Sequence, residues 1–301
     1  LPWIVIALAS AAVTAMVSIS DKTVIYRYAR SPLTLPLLIG MAQTTVGIIT
    51  LGLTRIPPAA TLEASGYAVL SGVLFGLSGI LSQRVLFTEE VSRTIPVTQS
   101  APIFAALMAL VILNESISSQ QWLGIVATVA GSTLLSLRIT AGMSSIFLHR
   151  SFFLLMLSAF FFGAANVIGK LALDELPVLY THGLRMLALG FVFLVIAFRS
   201  SPWADVRGYF SRRSPALLFV GTNEFITANV GLLLLLWALS EGPASLVTAV
   251  WGTRALFVVL YSMGLAMVWR GALGEVTSPG IVMAKFLSVA LIVVGIAAVA
   301  L

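Results

Sequence analysis

Ten separate stretches of mostly apolar residues fill the chain almost end to end. Each is about 20 residues long, enough to cross the ~30 Å hydrocarbon layer of a bilayer as a helix. Read from the sequence, the spans are Pro2 to Ser20, Thr34 to Thr54, Ala64 to Phe87, Val91 to Leu113, Gln120 to Leu137, Phe152 to Leu173, Val178 to Phe198, Pro215 to Leu239, Ala244 to Val268 and Pro279 to Ala300. Unpaired backbone groups are costly in lipid, and these stretches lack the alternation of barrel strands, so helices are the spanning structure that remains. The predicted fold class is therefore an all-α integral membrane protein with ten transmembrane helices.

Composition excludes a soluble fold: 9% of residues are charged against about 25% in soluble domains, and the mean hydropathy is +1.06. The longest connection, about Arg199 to Ser214, is too short to fold alone. The first span opens at Leu1-Pro2 without a basic leader and reads as a retained helix rather than a cleaved signal. Cysteine is absent, so no disulfide or thiolate metal site is expected. The net charge of +6 comes from residues scattered between spans, which does not make a nucleic-acid face. Twelve lysines and arginines fall in the odd-numbered connections, against only Arg55 and Lys170 in the even ones. The positive-inside rule then puts the odd side in the cytoplasm and both chain ends opposite.

The chain also matches itself. Ser10-Ala11 followed by Lys22 recurs as Ser158-Ala159 followed by Lys170, 148 positions on. Leu86, Ser92 and Phe104 align with Leu239, Ser245 and Phe257, 153 positions on. Glu115 opens a turn before the fifth span and Glu275 before the tenth, each followed by a late glycine, Gly131 and Gly295. A repeat of five spans must reverse its direction across the membrane, which predicts two inverted five-helix repeats, residues 1–140 and 148–301, as in secondary transporters.

The segment Ile112 to Gly124, with Asn114-Glu115 and Gln121-Trp122, followed by Gly131, resembles the signature of the EamA family in the drug/metabolite transporter (DMT) superfamily. Gly274 to Thr277 with Gly295, Gly242 to Thr248, and Leu176-Pro177 followed by Arg185 are similar to the pattern in the second half. Helices one and two fit less well, since Ala42 and Gln43 stand where an arginine is expected. The resemblance implies ten spans in two inverted repeats and export or exchange of small metabolites without ATP. It also implies cytosolic termini, opposite to the charge count.

Arg185 in the seventh span, Glu224 in the eighth, Arg254 in the ninth and Lys285 near the start of the tenth are ionisable groups inside apolar spans, where each costs about 2.5 to 3.5 kcal/mol on insertion scales. Three cations against one carboxylate predict an electropositive cavity, with Arg254 and either Arg185 or Lys285 receiving a carboxylate or phosphate of the cargo. The structural alternative is that Glu224 pairs with one cation while the others snorkel or bond helix-end carbonyls. Asn223 and Thr227 make a polar stripe beside Glu224, Trp251 stands one turn before Arg254, and Gln43 is the polar group of the second span. Candidate substrate-binding residues are thus Arg254, Glu224, Arg185, Trp251, Asn223, Lys285 and Gln43. Glu224 and His182 are the candidates to carry a coupling proton.

Gly72, Gly76 and Gly79 predict a small-residue packing face on the third span, and Pro96 and Pro102 a kink in the fourth. The run Gly163 to Lys170 imitates a phosphate loop but is one residue too long between its glycines and lies within an apolar helix. No catalytic metal motif is present, and neither cofactor nor metal is expected. These residues predict a secondary transporter, an exporter of a small anionic or zwitterionic metabolite working by alternating access, in a bacterial inner (plasma) membrane. Its partners are a small-molecule substrate, the lipid bilayer and a coupling proton. The rival readings are an intramembrane enzyme acting on a lipid headgroup and a non-transporting partner subunit.

Overall fold

The computed structural model describes residues 2–28, 31–58, 60–88, 97–136, 150–258, 260–261 and 279–300, with all their side chains except those of 22–27, 86–88, 135–136, 150, 279–286 and 300. Among these residues there are eleven helices and no strand. They are α1 (Pro2–Arg27), α2 (Thr34–Leu53), α3 (Leu62–Thr88), α4 (Ala101–Ile112), α5 (Ser119–Ser136), α6 (Arg150–Leu173), α7 (Val178–Ala197), α8 (Ser200–Ser211), α9 (Pro215–Glu241), α10 (Ala244–Trp251) and α11 (Pro279–Ala300). Six of them, α1, α2, α3, α6, α7 and α9, are long and apolar enough to cross a membrane. Large apolar side chains such as Leu53, Leu62, Leu123 and Phe191 lie exposed on the outside, where lipid replaces water as the solvent.

Local chemistry sets the helix ends. Ser214 Oγ accepts from Ala216 N at 3.3 Å, and Pro215 follows in the first turn, the ordinary start of a helix. The amino end of α10 is capped from a distance: Glu115 Oε1 accepts from Ala244 N at 2.6 Å, while Oε2 accepts from Ser245 N and Ser245 Oγ at 3.2 and 2.5 Å. A carboxylate there offsets both the orphan N–H groups and the helix dipole.

Several expectations need correction. The first helix runs past Ser20 to Arg27, so Asp21 lies within it. The Arg199 to Ser214 connection is mostly a helix, α8, whose Pro202 and Val206 are buried while Trp203, Arg207 and Phe210 are exposed. Pro102 does not kink the fourth span; it lies in the first turn of α4, where its missing N–H leaves no bond unmade. Pro96 lies outside the described residues. The break in that span is at Gln99 and Ser100, a turn preceding α4. The ninth span breaks likewise at Gly252 and Thr253 before helix resumes over 254–258. These two turns are 153 positions apart and face each other, Gln99 Nε2 donating to Gly252 O at 3.1 Å.

Glycine allows the closest crossings. Gly72 meets the Arg185 carbonyl, Gly76 meets Val192 and Gly79 meets the Phe193 ring, so the small-residue face of α3 packs on α7. Elsewhere the contacts are reciprocal. A Cβ on Gly131 would lie 2.8 Å from Ser288 O on α11, and one on Gly295 would lie 2.8 Å from Gly124 O on α5. The same exchange holds between α2 and α7, where Gly40 meets Gly190 O and Leu194, and Gly47 meets Gly183 O and Leu187. Ser10 Oγ donates to Gly231 O at 2.7 Å, linking α1 to α9, and Ser158 Oγ donates to Ser78 O at 2.8 Å, linking α6 to α3. Donors 148 positions apart thus meet acceptors 153 positions apart.

Candidate functional site

The eighth expected span, α9, is not uniformly α-helical. Its residues Asn223–Thr227 form one π turn, which inserts an extra residue and shifts the faces on either side. Asn223 and Glu224 turn inward and are buried, while Phe225 and Ile226 are exposed. Thr227 does not join the site, because its hydroxyl donates to Thr222 O at 3.3 Å within the turn. Asn229 takes the place that a regular helix gives to Thr227, its Nδ2 donating to Glu224 O at 2.5 Å. Gln43 Nε2 donates to the same carbonyl at 3.1 Å and to Glu224 Oε2 at 3.2 Å. This carbonyl of the π turn thus accepts from two side-chain amides.

Asp21 is the second carboxylate of this cluster. Asn223 Nδ2 donates both to Asp21 Oδ1 at 2.9 Å and to Glu224 Oε1 at 2.8 Å, so one amide bridges two acids from α1 and α9. Gln83 Nε2 of α3 donates to Asp21 Oδ2 at 3.4 Å. The Arg254 guanidinium acts electrostatically on Asp21 from just beyond the break of α10.

Arg185 and Arg254 stand at the two ends of an aromatic ladder. The Arg185 guanidinium lies 4.7 Å from the Phe75 ring centre, Phe75 is 5.5 Å from Phe162, Phe162 stacks on Trp251 at 4.6 Å, and Arg254 lies 4.5 Å from the Trp251 ring. Both ends are cation–π contacts, strongest where water is excluded. Arg185 is 1% exposed and donates through Nη2 to Asn166 Oδ1 at 3.2 Å, while its Nε and Nη1 have no acceptor. Asn166 is held by its own bond to Thr248 Oγ1 at 3.2 Å. Arg254 is only half-buried, and the indole N–H of Trp251 is buried without an acceptor. His182 Nε2 lies 3.0 Å from Asn229 Oδ1, so the ring buttresses the amide that holds the π turn.

Of the residues singled out from the sequence, Gln43, Asn223 and Glu224 form one cluster, Trp251 and Arg254 a contacting pair, and Arg185 meets that pair through the ladder. His182 reaches the cluster through Asn229, and the side chain of Lys285 lies outside the described residues. The expected balance of three cations against one carboxylate changes, because Asp21 adds a second acid. Asp21, Gln83, Asn166, Asn229 and Thr248 were not anticipated.

Residues 1–137 match the model of the EamA-like transporter family. The first part of the chain is thus similar to that family. That family belongs to the DMT superfamily, and the likeness together with the six helices long and apolar enough to span a bilayer indicates an integral membrane protein. A solved crystal structure of 17% identity aligns over 99% of this chain and 95% of its own, with a TM-score of 0.69, a likeness of fold alone. No curated protein sequence matches the chain. Within residues 1–137, the residues that carry the family likeness have structural tasks: Glu115 caps α10, and Gly124 and Gly131 make the crossing with α11. Gly274 to Thr277 lie outside the described residues.

Proposed function

We propose that this chain is an EamA-type secondary transporter that exports a small anionic or zwitterionic metabolite across a bacterial inner membrane. It works by alternating access between two inverted five-helix repeats, residues 1–140 and 148–301. The reciprocal crossings of α2 with α7 and of α5 with α11 support the repeat, since a two-fold axis exchanges the partners of each such contact. So do the facing breaks of the fourth and ninth spans, because paired interrupted helices mark the binding site in many inverted-repeat transporters.

The observation that carries the cargo's charge is Arg185. A buried guanidinium with two nitrogens lacking any acceptor is costly in a bilayer unless something anionic or wet meets it. Arg254, with Arg185 or Lys285, receives an anionic group of the cargo, and Trp251 is the apolar wall beside Arg254. Glu224 carries the coupling proton. His182 positions Asn229 rather than carrying that proton.

Counterflow in proteoliposomes tests the reading, using a panel of radiolabelled amino acids and carboxylic acids. Wild-type protein exchanges at least one intact solute, and Arg254→Ala, inserted to the same level, does not. Recovery of chemically altered label without exchange replaces transport with catalysis.

A further inference from the structure

The helix α8, which joins α7 to α9, has two faces of different chemistry. Pro202, Val206 and the partly buried Tyr209 recur at helical spacing and face inward. Two bonds pin that side to its neighbours: Thr34 Oγ1 of α2 donates to Asp205 Oδ2 at 2.7 Å, and the Tyr209 hydroxyl donates to Tyr28 O, just past α1, at 2.5 Å. The other face carries Trp203, Arg207 and Phe210, again at helical spacing and all exposed. Phe198, also exposed, lies 5.4 Å from Trp203 between ring centres and extends the apolar strip.

Four arginines accompany this strip. Arg199, Arg207, Arg212 and Arg213 are all exposed, and the one acid among residues 199–214 is Asp205, already engaged by Thr34. Helix stability does not account for the arginines at either end. Arg199 occupies the N-cap, where the helix dipole favours an acid and opposes a cation. Arg213 holds a left-handed backbone, φ 48°, in the place just past the helix where glycine is the unstrained choice. Guanidinia kept against these local preferences point to a ligand outside the helix.

We propose that the outer face of α8 docks on anionic phospholipid headgroups of the bilayer, its rings entering the edge of the acyl layer and its guanidinia meeting lipid phosphates. The depth is right, because α7 ends at Ala197 and α9 begins at Pro215, so α8 lies where two spanning helices leave the hydrocarbon. Indole rings settle at that level, and arginine stems run along apolar surface while their heads reach outward. Guanidinium pairs with phosphate through two parallel N–H bonds. Charge selects the lipid: four cations and one engaged acid favour phosphatidylglycerol over zwitterionic phosphatidylcholine. This surface rests on α8 alone and needs nothing from the transport reading above.

Tryptophan quenching by brominated lipid tests it, with the full chain reconstituted in bilayers that mix dioleoyl phosphatidylcholine and dioleoyl phosphatidylglycerol, one of the two brominated in its acyl chains. The emission of Trp203 is the difference between wild type and Trp203→Phe. Phosphatidylglycerol is expected beside Trp203 at least about fivefold more readily than phosphatidylcholine, the worth of one arginine at an anionic surface. That preference should fall toward unity in about 1 M salt, where charges are screened beyond about 3 Å. Arg207→Gln with Arg212→Gln should lower it at least about fivefold. Arg213→Gly separates lipid contact from folding: freed of its backbone strain, it should melt in detergent at or above the wild-type temperature and yet show a preference lower by about twofold or more. Equal quenching by the two lipids at low salt overturns the proposal, as does a preference that survives the loss of Arg207, Arg212 and Arg213 together. So does a preference erased by inorganic phosphate but not by chloride at the same ionic strength, which makes the occupant a free anion. Trp203 emission untouched by either brominated lipid overturns it too, placing the face in water or under a protein partner.

Discussion

At the residue scale, what an apolar sequence reveals is any side chain that lipid would reject. Arg185, Glu224 and Arg254 stood out for that reason; the fold buries the first two and leaves Arg254 half-buried against Trp251. Asp21 was hidden because the hydrophobic run fades at Ser20, and only the helix that continues to Arg27 carries it inside. Asn166 was hidden differently, inside a run that imitates a phosphate loop, although it holds Arg185 at 3.2 Å. Arg185 offers the sharpest residue-level test. Replacing a buried charge by an apolar side chain of similar length is often neutral or stabilising, while removing a buried charged partner from a bound ligand costs about 2 to 5 kcal/mol. Arg185→Met is therefore expected to keep or raise the melting temperature in detergent and to raise the half-saturation concentration for cargo at least about 30-fold. A variant that melts lower yet exchanges solute at wild-type concentrations makes the arginine structural.

At the element scale, helices were legible because hydropathy and length alone demand them, but their irregularities were not. A π turn leaves no periodic signal, and its effect is to exchange Thr227 for Asn229 as the residue facing Gln43 and Glu224. The turns at Gln99 and at Gly252 are equally silent, since both lie in continuous apolar runs. Glycine spacing was more informative, because Gly131 and Gly295, matched in sequence, also occupy matching places in the crossing of α5 with α11. That crossing tolerates no side chain: a Cβ at either position falls 2.8 Å from a backbone carbonyl. Gly131→Val and Gly295→Val should each lower stability by about 1 to 3 kcal/mol, the usual cost of overpacking, and by similar amounts if the two positions are equivalent. Gly66→Ala, where nothing lies within 4 Å, serves as the control and should be neutral or slightly stabilising. Thermal melting of the three purified variants decides the matter.

At the scale of the whole molecule, the two chain portions are joined by bonds that come in pairs. Ser10 to Gly231 and Ser158 to Ser78 are the same hydroxyl-to-carbonyl bond made twice, once between α1 and α9 and once between α6 and α3. Hydrogen bonds between membrane helices average only about 0.6 kcal/mol, so such contacts let neighbouring helices part and re-form cheaply. If the proposed repeats rock against each other, the α3–α6 contact must rearrange during every cycle, because it joins residues 1–140 to residues 148–301. Ser78 Oγ lies 3.1 Å from Ser158 Oγ, and the chain contains no other cysteine to confuse a cross-link. The double substitution Ser78→Cys with Ser158→Cys should therefore form a disulfide on mild oxidation and hold α3 against α6. Counterflow should fall to background in the oxidised protein and return on reduction, with both forms inserted equally and the reduced form melting close to wild type. Undiminished exchange by the oxidised protein would show that this contact stays closed throughout, confining the motion to other elements.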